Sequence, residues 1–190
     1  MSAAGKVCTG FSLPYVALYN NGAYTSAQKL ARGVDVTVSP EASDDNVFYA
    51  DNHEGENASG TLTGGTVDLT VDGLLIAAER MIMGLPAAGS DGWTAYDDDQ
   101  QIPYVGIGYI ARYMSDGVTT YVPTVICKCK FAQIESSAAT QEEDIDWQTQ
   151  SLSATIFRGD DAKHTWKFVG DDEDTEAAAE AALRTKLGIS

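Results

Sequence analysis

Alternation of apolar and polar residues is the dominant pattern along this chain, and it is clearest over residues 103–131. Two alternating stretches flank Asp116-Gly117, a dipeptide that favours a two-residue hairpin turn. The first stretch should direct Val105, Ile107, Tyr109, Ala111 and Tyr113 to one face, with Tyr104, Gly106, Gly108, Ile110, Arg112 and Met114 opposite. The second should direct Thr119, Tyr121, Val125, Cys127, Cys129 and Phe131 to one face. We therefore predict a long antiparallel hairpin with both cysteines on the same side of its second strand.

The same period of two predicts further strands at 13–19, 23–31, 34–38, 46–50, 66–71, 145–157 and 164–169. Asn20-Asn21-Gly22 should turn the chain between the first two of these strands. Pro40 should end the third, because proline cannot donate to a strand ladder. Residues 51–64 are predicted to form an acidic, glycine-rich loop.

Two segments have helical character. Asp72 is expected to cap a helix over 74–83 that ends at Gly84. Its apolar stripe, which should lie on the sheet, comprises Leu74, Ala78, Met81 and Ile82. Residues 173–187 carry acidic side chains at the start and basic ones at the end, which suits the helix dipole. That helix is expected to dock weakly, through Ala178, Ala181, Ala182, Leu183 and Leu187.

These elements predict a mainly β fold. It should be an antiparallel β-sandwich or partly closed barrel with one flanking α-helix and a short C-terminal helix. The 190 residues contain no proline-rich or serine-rich linker, so we expect one domain over 1–190 with 173–187 as a C-terminal appendage.

Composition disfavours several classes of function. A formal net charge of −16 repels nucleic acid. The three cysteines are read as reduced and structural, and the histidines lie far from them in sequence, so no metal site is predicted. Gly106-Ile107-Gly108 falls inside a strand and no phosphate-loop triplet occurs, so no cofactor is assigned. No serine occupies a nucleophile elbow, so no catalytic residue is assigned and we predict no enzyme. Neither a secretory signal nor a membrane span is recognisable.

Several segments together carry a resemblance that runs along nearly the whole chain. They are Thr25–Leu30, Val34–Val38, Val67–Val71 followed by Leu74–Met83 and Gly84-Leu85, Pro103–Ile110, Tyr121-Val122, Lys128–Phe131, Thr140–Glu143, Trp147–Ile156 and Trp166. In this order they resemble the major tail protein, or tail tube subunit, of bacteriophages with long, non-contractile tails. By this resemblance we expect the chain to lack the additional immunoglobulin-like domain that some members of that family append.

The resemblance implies a structural virion protein. Its subunits would form hexameric rings that stack into a hollow tube, through which DNA passes without specific binding. The partners implied are other copies of the chain, a tape measure protein and a tail terminator, with assembly in the host cytoplasm. The family has no catalytic residues to transfer.

Two sets of residues are candidates for such a role. Asp35 and Asp68 lie outward on two similar strands, and they would face either the lumen or the tube exterior. For the contact between rings we favour the 51–64 loop, with Asp51, His53, Glu54 and Glu56, over the 87–101 loop.

The alternative function is a monomeric module that binds carbohydrate or a cell surface through exposed tryptophans. Trp147 and Trp166 lie on predicted strands, where core packing is expected. Only Trp93 lies in a predicted loop.

Overall fold

The computed structural model describes residues 5–50, 53–58, 60–136 and 148–189. The fold is mainly antiparallel β, as the alternation predicted. In these ranges the strands are β1 Val7–Asn20, β2 Ala23–Lys29, β3 Gly33–Ala42, β4 Asn46–Ala50, β5 His53–Ala58, β6 Leu62–Val71, β7 Val105–Ser115, β8 Val118–Phe131, β9 Gln150–Ile156 and β10 Lys167–Val169. The helices are α1 Ile76–Met83 and α2 Glu176–Lys186.

One sheet holds eight of these strands. Seven follow the order β2-β1-β7-β8-β9-β6-β3, and β10 joins β8 at Thr124–Ile126, next to the stretch where β8 meets β9. The path begins at β2 and ends at β3 without closing, so the fold is not a complete barrel. β4 and β5 form a separate two-stranded hairpin.

The two predicted hairpin turns are confirmed. Asp116 and Gly117 connect β7 to β8 with φ values of 48° and 78°. Asn21 and Gly22 connect β1 to β2 with φ values of 48° and 83°. A positive φ at both central residues is the geometry that Asn-Gly and Asp-Gly adopt at low cost, and its twist matches that of the flanking strands.

Apolar residues form one core on each face of the sheet. The first core is covered by α1 and includes Val16, Val67, Leu69, Ile82, Met83, Val105, Ile107, Ile126, Phe131, Leu152 and Ile156. The second core is covered by α2 and comprises Tyr15, Ala17, Ile110, Val125, Ala179, Leu183 and Leu187. The predicted division of β7 into two faces is therefore confirmed.

The C-terminal helix docks more deeply than expected. Ala179, Leu183 and Leu187, spaced four residues apart, are fully or almost fully buried. Ala181 and Ala182 are exposed, so the predicted docking face was partly wrong. Alanine-rich segments look apolar all round, and only the spacing of the two leucines marks the buried stripe.

A bulge in β8 overturns the prediction that Cys127 and Cys129 share a face. Val105 pairs with Cys129 and Ile107 pairs with Ile126, so two residues of β8 stand opposite Gly106 alone. An extra residue reverses the alternation beyond it. Cys129 therefore lies in the first core, whereas Val125, assigned to the same face, lies in the second.

Several strand limits also differ from expectation, among them those of β1, β3, β6, β9 and β10. β1 starts at Val7 instead of Leu13. β3 continues through Pro40 to Ala42, because β3 is the last strand of the sheet and the missing N–H of proline is tolerated on an open edge.

The helix α1 ends as predicted and begins differently. Gly84 closes it in the left-handed conformation, with a φ of 66°. Asp72 does not cap it. The Asp72 carboxylate instead accepts hydrogen bonds from the backbone N–H of Arg32, at 3.0 Å, and from the Nε of Arg32, at 2.5 Å.

Carboxylates on α2 fasten it to β1 and β2. Glu176 accepts a hydrogen bond from Ser12. Glu180 accepts one from the Tyr15 hydroxyl at 2.5 Å and pairs with Lys29 at 3.3 Å. The Tyr15 bond and, less strongly, Lys29 hold the pKa of Glu180 below its usual value of about 4.5.

We predict that α2 docking weakens in acid. A carboxylate whose folded pKa is lowered stabilises the fold above its unfolded pKa, and that stability is lost as the pH falls through the folded pKa. Proteolysis between the sheet and α2 should therefore accelerate below about pH 4.5. Glu180→Gln should show a smaller pH dependence than the parent protein over the same range, and identical profiles would contradict the prediction.

Candidate assembly surface

A polar face covers the three strands at one end of the sheet. In β3, β6 and β9 the residues that alternate with the first core point outward, and directly paired residues share a face. Its members are Asp35, Thr37, Ser39, Thr66, Asp68, Thr70, Ser151, Ser153 and Thr155. We call this set the hydroxyl face.

The structure brings both predicted acidic residues onto this face. Asp68 pairs across the sheet with Thr37 on one side and with Ser153 on the other. Its carboxylate accepts a hydrogen bond of 2.7 Å from the Ser153 hydroxyl. Asp35 pairs with Thr70, two residues along the strands from the pair of Thr37 and Asp68. Both aspartates are exposed. The sequence predicted that each aspartate points outward from its own strand. The structure adds that β3, β6 and β9 are neighbours, which places both aspartates on one face.

The hydroxyl face ends at an open strand edge. β3 pairs only with β6 within the described part of the chain. Its run Val34–Ser39 contains no lysine, arginine or proline, the residues with which edge strands commonly block further pairing. Val34 is 55% exposed. The pairing of β3 with β6 is regular from Asp35 to Glu41, with register shifts between Gly33 and Asp35 and between Glu41 and Ala42. The other outer strand, β2, carries a bulge opposite Val16–Leu18 and a positive φ at Ser26.

The segment predicted as an acidic loop is mostly a strand. His53, Glu54 and Glu56 belong to β5, where they pair with Ala50, Tyr49 and Phe48 of β4. Alternation is absent from HEGENA, so periodicity gave no signal for this strand. Asp51 lies outside the described residues, and the role in ring contacts stays a prediction.

At the bulge in β8, the Lys128 side chain points toward the rings of Tyr19 and Tyr104. Its ammonium lies 4.6 Å from the ring centre of Tyr104, 5.5 Å from that of Tyr19, and 2.6 Å from the Asp160 carboxylate. The Lys128 bond is the main reason that the pKa of Asp160 is lowered. This arrangement fastens the 158–161 turn to the sheet. The segment Arg158-Gly159-Asp160 is thus held by a lysine of its own chain.

Replacing Lys128 with methionine should keep the apolar stem and remove the charge. Loss of two cation–π contacts should lower the free energy of unfolding by about 1–2 kcal/mol. The pKa of Asp160 should rise toward its usual value. Denaturant unfolding measures the change in stability, and NMR titration measures the change in pKa. Lys130→Met is the matched control, since Lys130 is exposed and its ammonium lies 6.0 Å from the Tyr104 ring centre. Equal effects of the two substitutions would refute the role of Lys128.

Two of the described cysteine thiols lie in apolar surroundings. Burial raises the pKa of both Cys127 and Cys129, so neither thiol is activated as a nucleophile. Within these residues, no three His, Cys, Asp or Glu side chains converge on a common point. Neither helix in the described part of the chain is long and apolar enough to cross a membrane.

The two described tryptophans differ in burial as their sequence positions predicted. Trp166 is partly buried against the first core. Trp93 is 78% exposed in the segment between α1 and β7. Trp147 lies outside the described residues, as does the Thr140–Glu143 part of the resemblance. Comparison with known proteins finds no family model that matches this chain and no curated protein that matches it.

Proposed function

We propose that this protein is a self-assembling structural subunit of a phage tail tube. Copies would join into rings, six to a ring by the resemblance, and the rings would stack around a channel for DNA. The observation that carries the proposal is the open edge of β3, which directly borders the exposed hydroxyl face.

The edge supports assembly because it offers unpaired backbone groups. An outer strand whose central run, Val34–Ser39, lacks lysine, arginine and proline is a template for another strand, and soluble proteins ordinarily block such an edge. In a closed ring each copy would cover the edge of its neighbour, which turns a hazard of aggregation into a specific contact.

The hydroxyl face supports a channel wall. Seven of its nine members are serine or threonine and the other two are aspartate. Such a wall is wettable and repels phosphate, so passing DNA would not be captured through the release of counterions. The net charge of −16 gives the whole subunit the same tendency.

The proposed partners follow from this role. Each copy would contact other copies within and between rings, and the tube would meet a tape measure protein and a tail terminator. The place of action is the virion, after assembly in the host cytoplasm. No catalytic step is proposed.

The test is the state of association of the purified protein. Sedimentation velocity and negative-stain microscopy over a range of protein and salt concentrations should reveal rings or hollow tubes of uniform diameter. High salt should favour assembly, since it screens repulsion between subunits of charge −16. A compact monomer under all conditions would overturn the proposal.

A monomeric carbohydrate-binding module is the second candidate, and the exposure of Trp93 favours it. An indole that is 78% exposed is suited to stacking on a sugar ring. A persistent monomer that binds immobilised glycans, and loses that binding in Trp93→Ala, would establish this alternative.

A further inference from the structure

Trp93 is held outward by an ordered turn. The Gly89 N–H donates to the Trp93 carbonyl at 2.9 Å, the Gly92 N–H donates to the Gly89 carbonyl at 2.9 Å, and the Trp93 N–H donates to the Asp91 carboxylate at 3.2 Å. A large apolar side chain that a fixed turn keeps in water has the character of an interface anchor.

The turn is also fastened to the body of the protein. Arg80 of α1 donates from Nε to the Thr94 hydroxyl at 2.9 Å. The Tyr96 hydroxyl donates to Glu79 of α1 at 2.7 Å. Trp93 is therefore presented from the α1 side of the sheet.

An apolar cleft lies on the other side of the sheet. It has a volume of about 220 Å³ and opens to solvent between β10 and α2. Its walls include Pro123, Val125, Phe168, Val169, Leu183 and Lys186. Val169 is 59% exposed, and the Lys186 ammonium stands 3.5 Å above the Phe168 ring at the rim.

We propose that Trp93 of one copy inserts into the cleft between β10 and α2 of the next copy. This inference rests on the proposed function and names one of its contacts. Charge complementarity selects the occupant: Asp91 precedes Trp93 by two residues, and Lys186 at the rim is one of only 12 lysines and arginines in the chain. An acidic turn with an apolar tip thus matches an apolar cleft in which the one charged wall residue, Lys186, is basic.

The placement of the two parts on opposite faces of the sheet determines the type of contact. In a symmetric pair, one interface would have to contain both Trp93 and the cleft of each copy. Because these lie on opposite faces of the sheet, a single interface cannot include both. A head-to-tail contact remains, and such contacts generate rings or open stacks.

The first test uses a single fluorescent reporter. In a Trp147→Phe, Trp166→Phe background, Trp93 should emit like a solvated indole in the monomer. On assembly its emission should shift to shorter wavelength and its quenching by acrylamide should fall severalfold. Rings or tubes in which Trp93 remains fully quenchable would overturn this inference and leave the proposed function standing. A protein that never assembles would overturn both.

The second test uses charge reversal. Asp91→Lys and Lys186→Glu should each weaken association by about tenfold or more, as for a charged pair beside a buried anchor. The double variant should recover much of the loss, because the pair is restored with reversed sign. Additive loss in the double variant would contradict the contact.

A mixing experiment tests the head-to-tail geometry. Trp93→Ala keeps an intact cleft, and Val169→Asp keeps an intact tryptophan and changes only an exposed wall of the cleft. Each alone should fail at this contact, and their mixture should restore the contact only between unlike copies, so that it joins them in one-to-one pairs. Unimpaired assembly of either single variant, or glycan binding by Trp93 in its place, would refute the proposal.

Discussion

Replacing Gly108 with valine is expected to lower the free energy of unfolding by about 3 kcal/mol, near the upper end of overpacking costs. A Cβ at this position would lie 2.8 Å from the Leu183 Cδ1 and 2.9 Å from the Leu187 Cδ1. Both leucines are buried in the second core, so valine forces α2 away from the sheet. For a chain of this length the melting temperature should fall by roughly 6–12 °C.

The matched control is Gly10→Val on the neighbouring strand β1. A Cβ there would meet only the Arg112 side chain, 3.8 Å away, and valine favours strands. Its effect should stay within about 0.5 kcal/mol. Limited proteolysis locates the damage, since Gly108→Val should release a C-terminal fragment containing α2 before the sheet is cut. Equal melting temperatures for the two variants would contradict the packing of α2 against Gly108.

The turns and the faces of β7 could be predicted from sequence because their causes are local. Asn21-Gly22 and Asp116-Gly117 accept positive φ, and strict alternation along β7 assigns each side chain to one core. Gly84 likewise marks the end of α1 through its own backbone preference.

The remaining features depend on partners that are distant in sequence. The bulge opposite Gly106 is a property of the β7–β8 pair, and nothing in the β8 sequence alone marks it. The exclusion of Ala181 and Ala182 from the second core follows from where α2 crosses the sheet. Periodicity could therefore predict which segments are strands and which are helices. It could not predict which face each side chain of β8 occupies, or which residues of α2 contact the sheet.

The candidate surface was predictable only in part, for the same reason. Asp35 and Asp68 could be recognised as outward residues from the alternation of β3 and β6. That they share one face with Ser153 requires the order β9-β6-β3, which brings together strands separated in sequence by α1, β7 and β8. The cluster around Lys128 depends on the bulge and so lay beyond prediction.

Reversing the charge of the hydroxyl face should convert assembled tubes into DNA-binding particles. The double variant Asp35→Lys, Asp68→Lys changes the charge by about +4 per subunit, repeated at every copy along the tube. Both positions are exposed, and only the hydrogen bond between Ser153 and Asp68 is lost from the contacts described above, so folding and assembly should persist. Binding of a short DNA duplex should appear at 50 mM salt and weaken by about a thousandfold at 200 mM salt.

The kinetics of capture then distinguish a lumenal face from an external one. Asp97→Lys, Asp98→Lys is the control, because it adds the same charge to an exposed loop away from the sheet face. Lysines inside a tube can be reached only from its ends, so the hydroxyl-face variant should bind DNA slowly, and more slowly as tubes lengthen. The loop variant should bind at once if that loop lies outside. Rapid binding by the hydroxyl-face variant, independent of tube length, would place Asp35 and Asp68 on the exterior and exclude this face as the channel wall.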